Sequence, residues 1–412
     1  MKINRIVDEI YRISVNIEDK DYLFEGIWPI PNGVSINGYL IKGEQNILID
    51  LTQDIMDFPA EFSRQIESAS VSFEDIDILV VNHMEPDHSG WLGEFCKVNT
   101  KAKIYCTEKA IPLLKAFADV PAERAIAIED GMTITSGDYE LQFFNTPNVH
   151  WPETMMTYEK KRGILFSCDA FGSYGAVDED AAFDDQISDE KQEFYQKEAI
   201  RYYANIVASF SNFVLKGLDK LGGLDINIIC PSHGIIWREN PGKIVELYKR
   251  YAEYAKGPAE KEVTLVWSSM YGNTKQVVST LIEVLRSRKI PVHVFQVPGD
   301  DVGHILGDAW KSAGLIFGMP TYEYKMFPPM AHVIDELLLK KVKNRKVFRF
   351  GSFGWAGGAQ RDFNAKTEKS GWDVVGTFEW QGAPTDEDHT AIREAVEAYC
   401  DELEAFSGQA DG

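Results

Sequence analysis

His83-Met84-Glu85-Pro86-Asp87-His88 carries four potential metal ligands in six residues, directly after the apolar run Ile76-Asp77-Ile78-Leu79-Val80-Val81. A short apolar run of this kind reads as a buried strand, so the ligands fall on the loop that leaves its end. An extended backbone would turn His83, Glu85 and Asp87 to one side. His88 breaks that alternation, so a turn is expected there, stiffened by Pro86. One short loop can then serve two metal ions. Imidazole with carboxylate, and no thiolate in the cluster, suits iron, zinc or manganese.

Working outward, three more ligand types follow strands. His150 comes after Leu141-Gln142-Phe143-Phe144, within Asn148-Val149-His150-Trp151-Pro152-Glu153. Asp169 comes after Ile164-Leu165-Phe166, within Ser167-Cys168-Asp169-Ala170. His233 comes after Ile226-Asn227-Ile228-Ile229, within Cys230-Pro231-Ser232-His233-Gly234. Singly, each would pass for a cap or a turn residue. Together they place a ligand set at strand ends, where rigid sheets present functional groups. Cys168 is expected to be a small buried thiol that fills space. His293, His304, His332 and His389 match no ligand pattern.

The pattern changes along the chain. Residues 1 to about 255 alternate many short strands, among them Tyr39-Leu40-Ile41, Asn46 to Ile49 and Lys103-Ile104-Tyr105, with helical stretches at Lys191 to Leu215 and Pro241 to Tyr254. Lys256-Gly257-Pro258-Ala259 interrupts that pattern and marks a boundary. This divides the chain into residues 1–256 and 260–408. From Val263 the rhythm becomes strand, loop, helix, strand: Val263 to Trp267, Lys275 to Arg286, Val292 to Val297, Gly314 to Phe317, Val347 to Phe350, and a last helix from about Thr390 to Phe406. Such alternation implies a doubly wound parallel sheet.

Three loops of the second part sit at strand ends, where open α/β sheets bind ligands. Ser269, Met270, Tyr271, Gly272, Asn273 and Thr274 follow the first strand and lead into a helix. Their hydroxyls, with free N–H groups at the helix start, form an anion cradle. Neither the Walker lysine nor GxGxxG is present, so a single phosphate fits better than a triphosphate or a dinucleotide. The second loop supplies Pro320, Thr321, Tyr322 and Glu323. The third supplies Ser352, Phe353, Gly354, Trp355, Ala356 and Gly357. Tyr322 and Trp355 suit a planar ring, and the glycines let backbone approach its polar edge.

Bulk properties narrow the field. The chain has 412 residues, enough for two cores. Its 44% hydrophobic and 26% charged residues are ordinary for a soluble globular protein. A formal net charge of −22 disfavours nucleic acid and anionic membranes as partners. No apolar run is long enough to span a bilayer, and Met1-Lys2-Ile3-Asn4-Arg5 does not read as a signal peptide. Cys96, Cys106, Cys168, Cys230 and Cys400 include no CxxC pair, which argues against a disulfide framework, an iron–sulfur cluster or a built-in rubredoxin. A cytoplasmic location is expected.

The order HxExDH, His, Asp, His, with the phrase His150-Trp151-Pro152-Glu153-Thr154-Met155, resembles the flavodiiron proteins, the A-type flavoproteins of the oxygen/nitric oxide reductase family. The loop 268–274 resembles the phosphate loop of flavodoxin, with Trp267 where Tyr or Phe often stands. The resemblance covers about Ile3 to Phe406. It implies an α/β chain: a metallo-β-lactamase-like αββα domain, then a flavodoxin-like doubly wound parallel sheet. It implies two iron ions and FMN. By resemblance His83, Glu85 and His150 bind one iron, Asp87, His88 and His233 bind the other, and Asp169 bridges them; Tyr202 or Tyr203 approaches the pocket. Hydrolases of the wider superfamily carry HxHxDH and bind zinc; Glu85 replaces the second His with a hard oxygen ligand that favours iron.

The implied activity is reduction of O2 to water, of NO to N2O, or both, with electrons passing from an external donor through FMN. A rubredoxin, a flavin reductase or a reduced deazaflavin coenzyme would serve as donor. A head-to-tail homodimer, or a dimer of dimers, is implied as the assembly. Two other readings compete: a zinc-dependent hydrolase fused to a flavodoxin electron-transfer module, and an electron carrier with a degenerate metal domain. Glu85 opposes the first and the complete ligand set opposes the second.

Overall fold

The fold is described from a computed structural model, for residues 3–407. The chain forms two compact units: Met1–Tyr202 with Asn212–Lys249, and Tyr203–Ser211 with Arg250–Gly412. The change of unit falls inside the helix Pro241–Glu253, and a short segment before Asn212 joins the second unit.

The first unit holds two sheets. One has seven strands in chain order, Asn4–Val7, Ile10–Ile17, Val34–Ile41, Asn46–Ile49, Ile76–Val80, Lys103–Thr107 and Ala125–Ile128. Pairing is antiparallel up to Asn46–Ile49 and parallel from there on. The other has Thr133–Ser136, Tyr139–Asn145, Met155–Glu159 and Ile164–Cys168 antiparallel, with Ile228–Pro231 added in parallel. The sheets face each other: Tyr39 and Phe166 rings lie 5.1 Å apart, and the Tyr39 hydroxyl donates to the Pro231 carbonyl at 2.6 Å. A helix such as Phe58–Ser68 buries Phe58, Phe62 and Ile66 on the outside of this pair. This is the metallo-β-lactamase-like αββα arrangement. In Ile76–Val80 the side chains of Ile76, Ile78, Leu79 and Val80 are all buried; each stabilises the fold by about 1.5–3 kcal/mol, which anchors the loop that follows.

The second unit is a five-stranded sheet with every pairing parallel, in the spatial order Val292–Gln296, Glu260–Trp267, Ser312–Gly318, Lys346–Phe353, Asp373–Gln381. That is the 2-1-3-4-5 order of flavodoxin-like folds. Val278, Leu281 and Leu285 of the helix Val278–Ser287 and Ile392, Val396 and Leu403 of the last helix, Asp386–Ser407, cover one face through a shared core with Phe348 and Phe350.

Three expectations need adjustment. The stretch from Lys191 to Leu215 is not one α-helix. It runs as an α-helix over Asp189–Tyr202, a π-turn over Tyr203–Val207, a 3₁₀ turn over Ala208–Phe210 and a new α-helix from Ser211. Ser211 Oγ donates to the Ala208 carbonyl at 2.7 Å, a local bond of the kind that competes with regular helix. The strand expected at Ile226 starts at Ile228. The chain after Val81 also turns earlier than expected: Pro86 opens a short helix, Pro86–Ser89, because its fixed φ suits a first helical position. Asp87 therefore leaves the line of His83 and Glu85.

Candidate metal centre and flavin pocket

All seven candidate ligands converge in the first unit, each from a loop at a strand end. Ile76–Val80 feeds His83 to His88, Tyr139–Asn145 feeds His150, Ile164–Cys168 feeds Asp169, and Ile228–Pro231 feeds His233. Local bonds fix these loops. Ser89 Oγ donates to the Met84 carbonyl at 2.8 Å, and Thr154 Oγ1 donates to the Thr146 carbonyl at 2.8 Å.

The side chains sort into two groups, His83 with Glu85, His150 and Asp169, and Asp87 with His88 and His233. Asp169 touches both. Its Oδ1 lies 3.0 Å from His88 Nε2 and 3.3 Å from His233 Nε2; its Oδ2 lies 3.5 Å from His83 Nε2 and 3.6 Å from His150 Nε2. His150 Nε2 is 2.9 Å from Glu85 Oε2, and His233 Nε2 is 3.2 Å from Asp87 Oδ2. Of these contacts His88 Nε2 to Asp169 Oδ1 has hydrogen-bond alignment; the others are close approaches without it. His150 Nε2, His233 Nε2 and both carboxylate oxygens of Asp87 are buried with no hydrogen-bond partner. Buried polar atoms do not ordinarily go unmatched, and here they face one another as nitrogen and oxygen donors. The set fits two hard or borderline cations.

Electrostatics say the same. Burial opposes charge on His83, yet Glu153, Glu85 and Asp169 lift it to about 10. Burial likewise opposes charge on His88 and His233, and the carboxylates of Asp87 and Asp169 carry both to about 10. Burial pushes Asp169 up, but the surrounding imidazoles win and hold it well below the ordinary carboxylate range. The cluster calls for positive charge at its centre.

Groups behind the ligands fix the imidazole rings. Glu153 Oε1 lies 2.7 Å from His83 Nδ1 and also accepts from the Met84 N–H at 3.2 Å. His233 Nδ1 lies 2.8 Å from the Ser35 carbonyl. Asp50 and Cys168 gather with His88; burial raises Asp50 to about 6, against the pull of His88 and of the Asn82 hydrogen bonds. Such partners orient a ligand and tune its basicity. None of these links is visible in sequence, since they join residues far apart in the chain; of the partners, Glu153 and Cys168 stood inside quoted stretches. Of the two tyrosines, Tyr202 reaches the site: its hydroxyl donates to Asp169 Oδ1 at 2.9 Å. Burial and the Asp169 charge push its pKa well up, so it stays a proton-bearing donor. Tyr203 instead bonds Ser211 Oγ at 2.8 Å. Cys168 is buried, as expected of a packing thiol.

A cleft of about 210 Å³, lined by Tyr22, Phe24, Gln53 and Pro86 among others, reaches Glu85 and Asp87. A larger cavity of about 360 Å³ beside Arg12, Arg64 and Gln65 contains none of the candidate ligands, and its size gives it no chemistry.

In the second unit a pocket of about 300 Å³ is lined by Ser269, Met270, Tyr271, Asn273, Pro320, Thr321, Tyr322, Glu323, Ser352, Phe353, Gly354, Trp355 and Gly382. The three loops named from sequence meet there. Gly272, Thr274, Ala356 and Gly357 do not line it. Thr274 lies buried beneath, its Oγ1 3.2 Å from Ser352 Oγ. Gly382 was missed: it follows the strand Asp373–Gln381, whose mostly half-exposed pattern gives no alternation to detect. Trp355 is 83% exposed and Tyr322 43%, so two aromatic faces stand open at the rim. An aromatic-edged slot beside a hydroxyl-rich helix start fits a planar ring carrying a phosphate.

A metal-binding β-lactamase-type unit followed by a flavodoxin-type unit defines a class of two-cofactor oxidoreductases. The comparisons agree. The family model described as ODP family beta lactamase matches residues 34–234, and the flavodoxin model matches residues 265–398. The anaerobic nitric oxide reductase flavorubredoxin of Salmonella typhi is 33% identical over 347 residues, 83% of this chain and 70% of that protein. The flavodiiron protein of Giardia intestinalis superposes with a TM-score of 0.91 at 25% identity, over 99% of this chain and 98% of that one. Rubredoxin oxygen:oxidoreductase from Desulfovibrio gigas superposes with a TM-score of 0.91 at 24% identity, over 98% and 99% of the two chains, and at that identity shows the fold alone. The chain belongs to the flavodiiron protein family. It is an oxidoreductase of the NO/O2 reductase family.

Proposed function

We propose that this protein reduces O2 to water, NO to N2O, or both, at a non-haem diiron site supplied by FMN. Residues 1–256 would form the diiron domain and residues 260–408 the FMN domain. The observation that carries the reading is the division of Asp169: one carboxylate oxygen faces His88 and His233, the other His83 and His150. His83, Glu85 and His150 would hold one iron, Asp87, His88 and His233 the other, with Asp169 between them. When bound, the two ferrous ions and the reduced FMN each supply two electrons, enough for the four-electron reduction of O2 and more than the two that a pair of NO molecules needs.

The chain's own groups do the rest. Glu153 and the Ser35 carbonyl hold His83 and His233 in fixed orientations. Tyr202 keeps a proton at its Oη, 2.9 Å from Asp169 Oδ1, next to where oxygen atoms must be protonated. The thirteen residues of the second pocket, with Gly272, Thr274, Ala356 and Gly357 around it, would hold FMN. Among the described residues no helix is long and apolar enough to cross a membrane, and the five cysteines are unpaired, in keeping with a cytoplasmic setting. A rubredoxin-type donor is the first candidate, given the relatives' names; a flavin reductase or a reduced deazaflavin coenzyme are the others. The assembly would be a head-to-tail homodimer or a dimer of dimers. Those relatives are reductases, so the zinc hydrolase alternative is not favoured.

The test is anaerobic. Photoreduced, iron- and FMN-loaded protein receives a measured pulse of O2 or of NO, with gas electrodes following consumption. Consumption of either gas without release of hydrogen peroxide supports the proposal. A fully loaded protein that consumes neither would refute it.

A further inference from the structure

Arg349 interrupts an otherwise apolar strand. Its neighbours Val347, Phe348 and Phe350 are fully buried, and so is the guanidinium, at 0% exposure. Burying a cation is costly unless partners compensate, so its partners disclose what it holds in place. Nη1 donates to Glu379 Oε1 at 2.5 Å and to Gln360 Oε1 at 3.4 Å, and Nη2 donates to the Met319 carbonyl at 3.2 Å. Met319 immediately precedes Pro320, Glu379 stands three residues before Gly382, and Gln360 lies in the first turn of the helix after the 351–358 loop. One side chain thus ties together the roots of all the loops that line the second unit's pocket, save 268–274.

The packing around it is tight. The Met319 N–H donates to the Phe350 carbonyl at 2.9 Å, so the Met319 peptide is gripped at both ends. A Cβ at Gly351 would overlap the Met319 carbonyl oxygen and come within 3.3 Å of Arg349 Nη2. Among the thirteen residues lining the pocket Glu323 is charged and none is basic; Arg349 is a buried cation behind that lining, bonded to the carbonyl of Met319, the residue before Pro320.

We propose that Arg349 is a positioning residue for the flavin: it fixes the Met319 carbonyl and the Pro320 to Tyr322 loop at the ring, and its charge favours the reduced, anionic form of the cofactor. This rests on the FMN reading of the pocket. Stabilising the reduced form over the oxidised one raises the midpoint potential, and each tenfold in relative affinity is about 30 mV for a two-electron couple.

The experiment uses the full chain, stripped of flavin and titrated with FMN, with affinity read by fluorescence and potential by dye-equilibrated redox titration. If the unmodified chain binds no FMN, the pocket reading itself fails. If it binds, Arg349→Met is expected to raise the Kd of oxidised FMN about tenfold and that of the hydroquinone about a hundredfold, lowering the potential by about 30 mV. Arg349→Lys keeps the charge and loses the paired donors, so its affinity falls while its potential stays near that of the unmodified chain. Glu379→Gln removes the counter-charge and raises the potential. Should Arg349→Met fail to fold, Arg349→Lys and Glu379→Gln still decide. Unchanged affinity and potential, or equal loss of affinity for both redox forms with no effect of Glu379→Gln on potential, would overturn the proposal.

Discussion

A histidine is a good ligand only if its ring is held and its second nitrogen is committed. His83 meets that condition through Glu153, a buried carboxylate 2.7 Å from its Nδ1. The sequence displayed both residues but not their pairing, because 70 positions separate His83 from Glu153 and strands bring them together. The ligands themselves were legible, since six residues after one strand carried four of them. Their partition came from the family resemblance and not from backbone pattern: alternation grouped Asp87 with His83 and Glu85, whereas the helical turn begun by Pro86 delivers it to His88 and His233. Arg349 escaped notice for a related reason, being one charge in an apolar strand with partners on three other elements. Glu153→Gln keeps the shape and removes the charge. It should weaken iron retention at one of the two positions about 10–100-fold, measured by competition against a chelator. Unaltered retention would mean that the Glu153 charge plays no part.

At the scale of elements, function sits at strand ends, and strands were the most legible part of the chain. Runs buried wholly or nearly so, such as Ser312–Gly318 and Ile76–Val80 with its half-exposed Asp77, announce themselves by apolar composition. Asp373–Gln381 does not, because an edge strand half open to solvent has no clean pattern. The break in the long helix at Tyr203–Val207 was equally hidden, since its residues are all buried and include no Gly or Pro to mark it. Close strand-end packing carries a cost for substitution. Gly351→Ala places a methyl group against the Met319 carbonyl, and overpacking of this kind costs about 1–3 kcal/mol. The variant should melt at a lower temperature in calorimetry and bind FMN less tightly than the unmodified protein. Melting and flavin affinity both unchanged would show that the loop has room to yield.

For the whole molecule, the two units would offer two complementary redox stores once loaded, and the proposed head-to-tail dimer would let one chain's FMN serve the other chain's metal site. Asp169→Asn should deplete iron while sparing FMN, since a bridging charge is lost. Thr274→Ala should deplete FMN while sparing iron, since the hydroxyl packed on Ser352 supports the phosphate loop. Each variant alone should be slow in gas consumption. Mixed under conditions that allow subunit exchange, they should recover part of the activity, because a mixed dimer contains one intact FMN–diiron pair. No recovery after proven exchange would count against transfer between chains.

The central claim is that Asp169 joins two irons into one centre. Mössbauer and EPR spectroscopy of the chain reconstituted with ⁵⁷Fe tests it most directly. Two irons per chain are expected, antiferromagnetically coupled and EPR-silent when both are ferric, with a mixed-valent signal after one-electron reduction. One iron per chain, or two ferric ions with independent high-spin signals, would contradict the account.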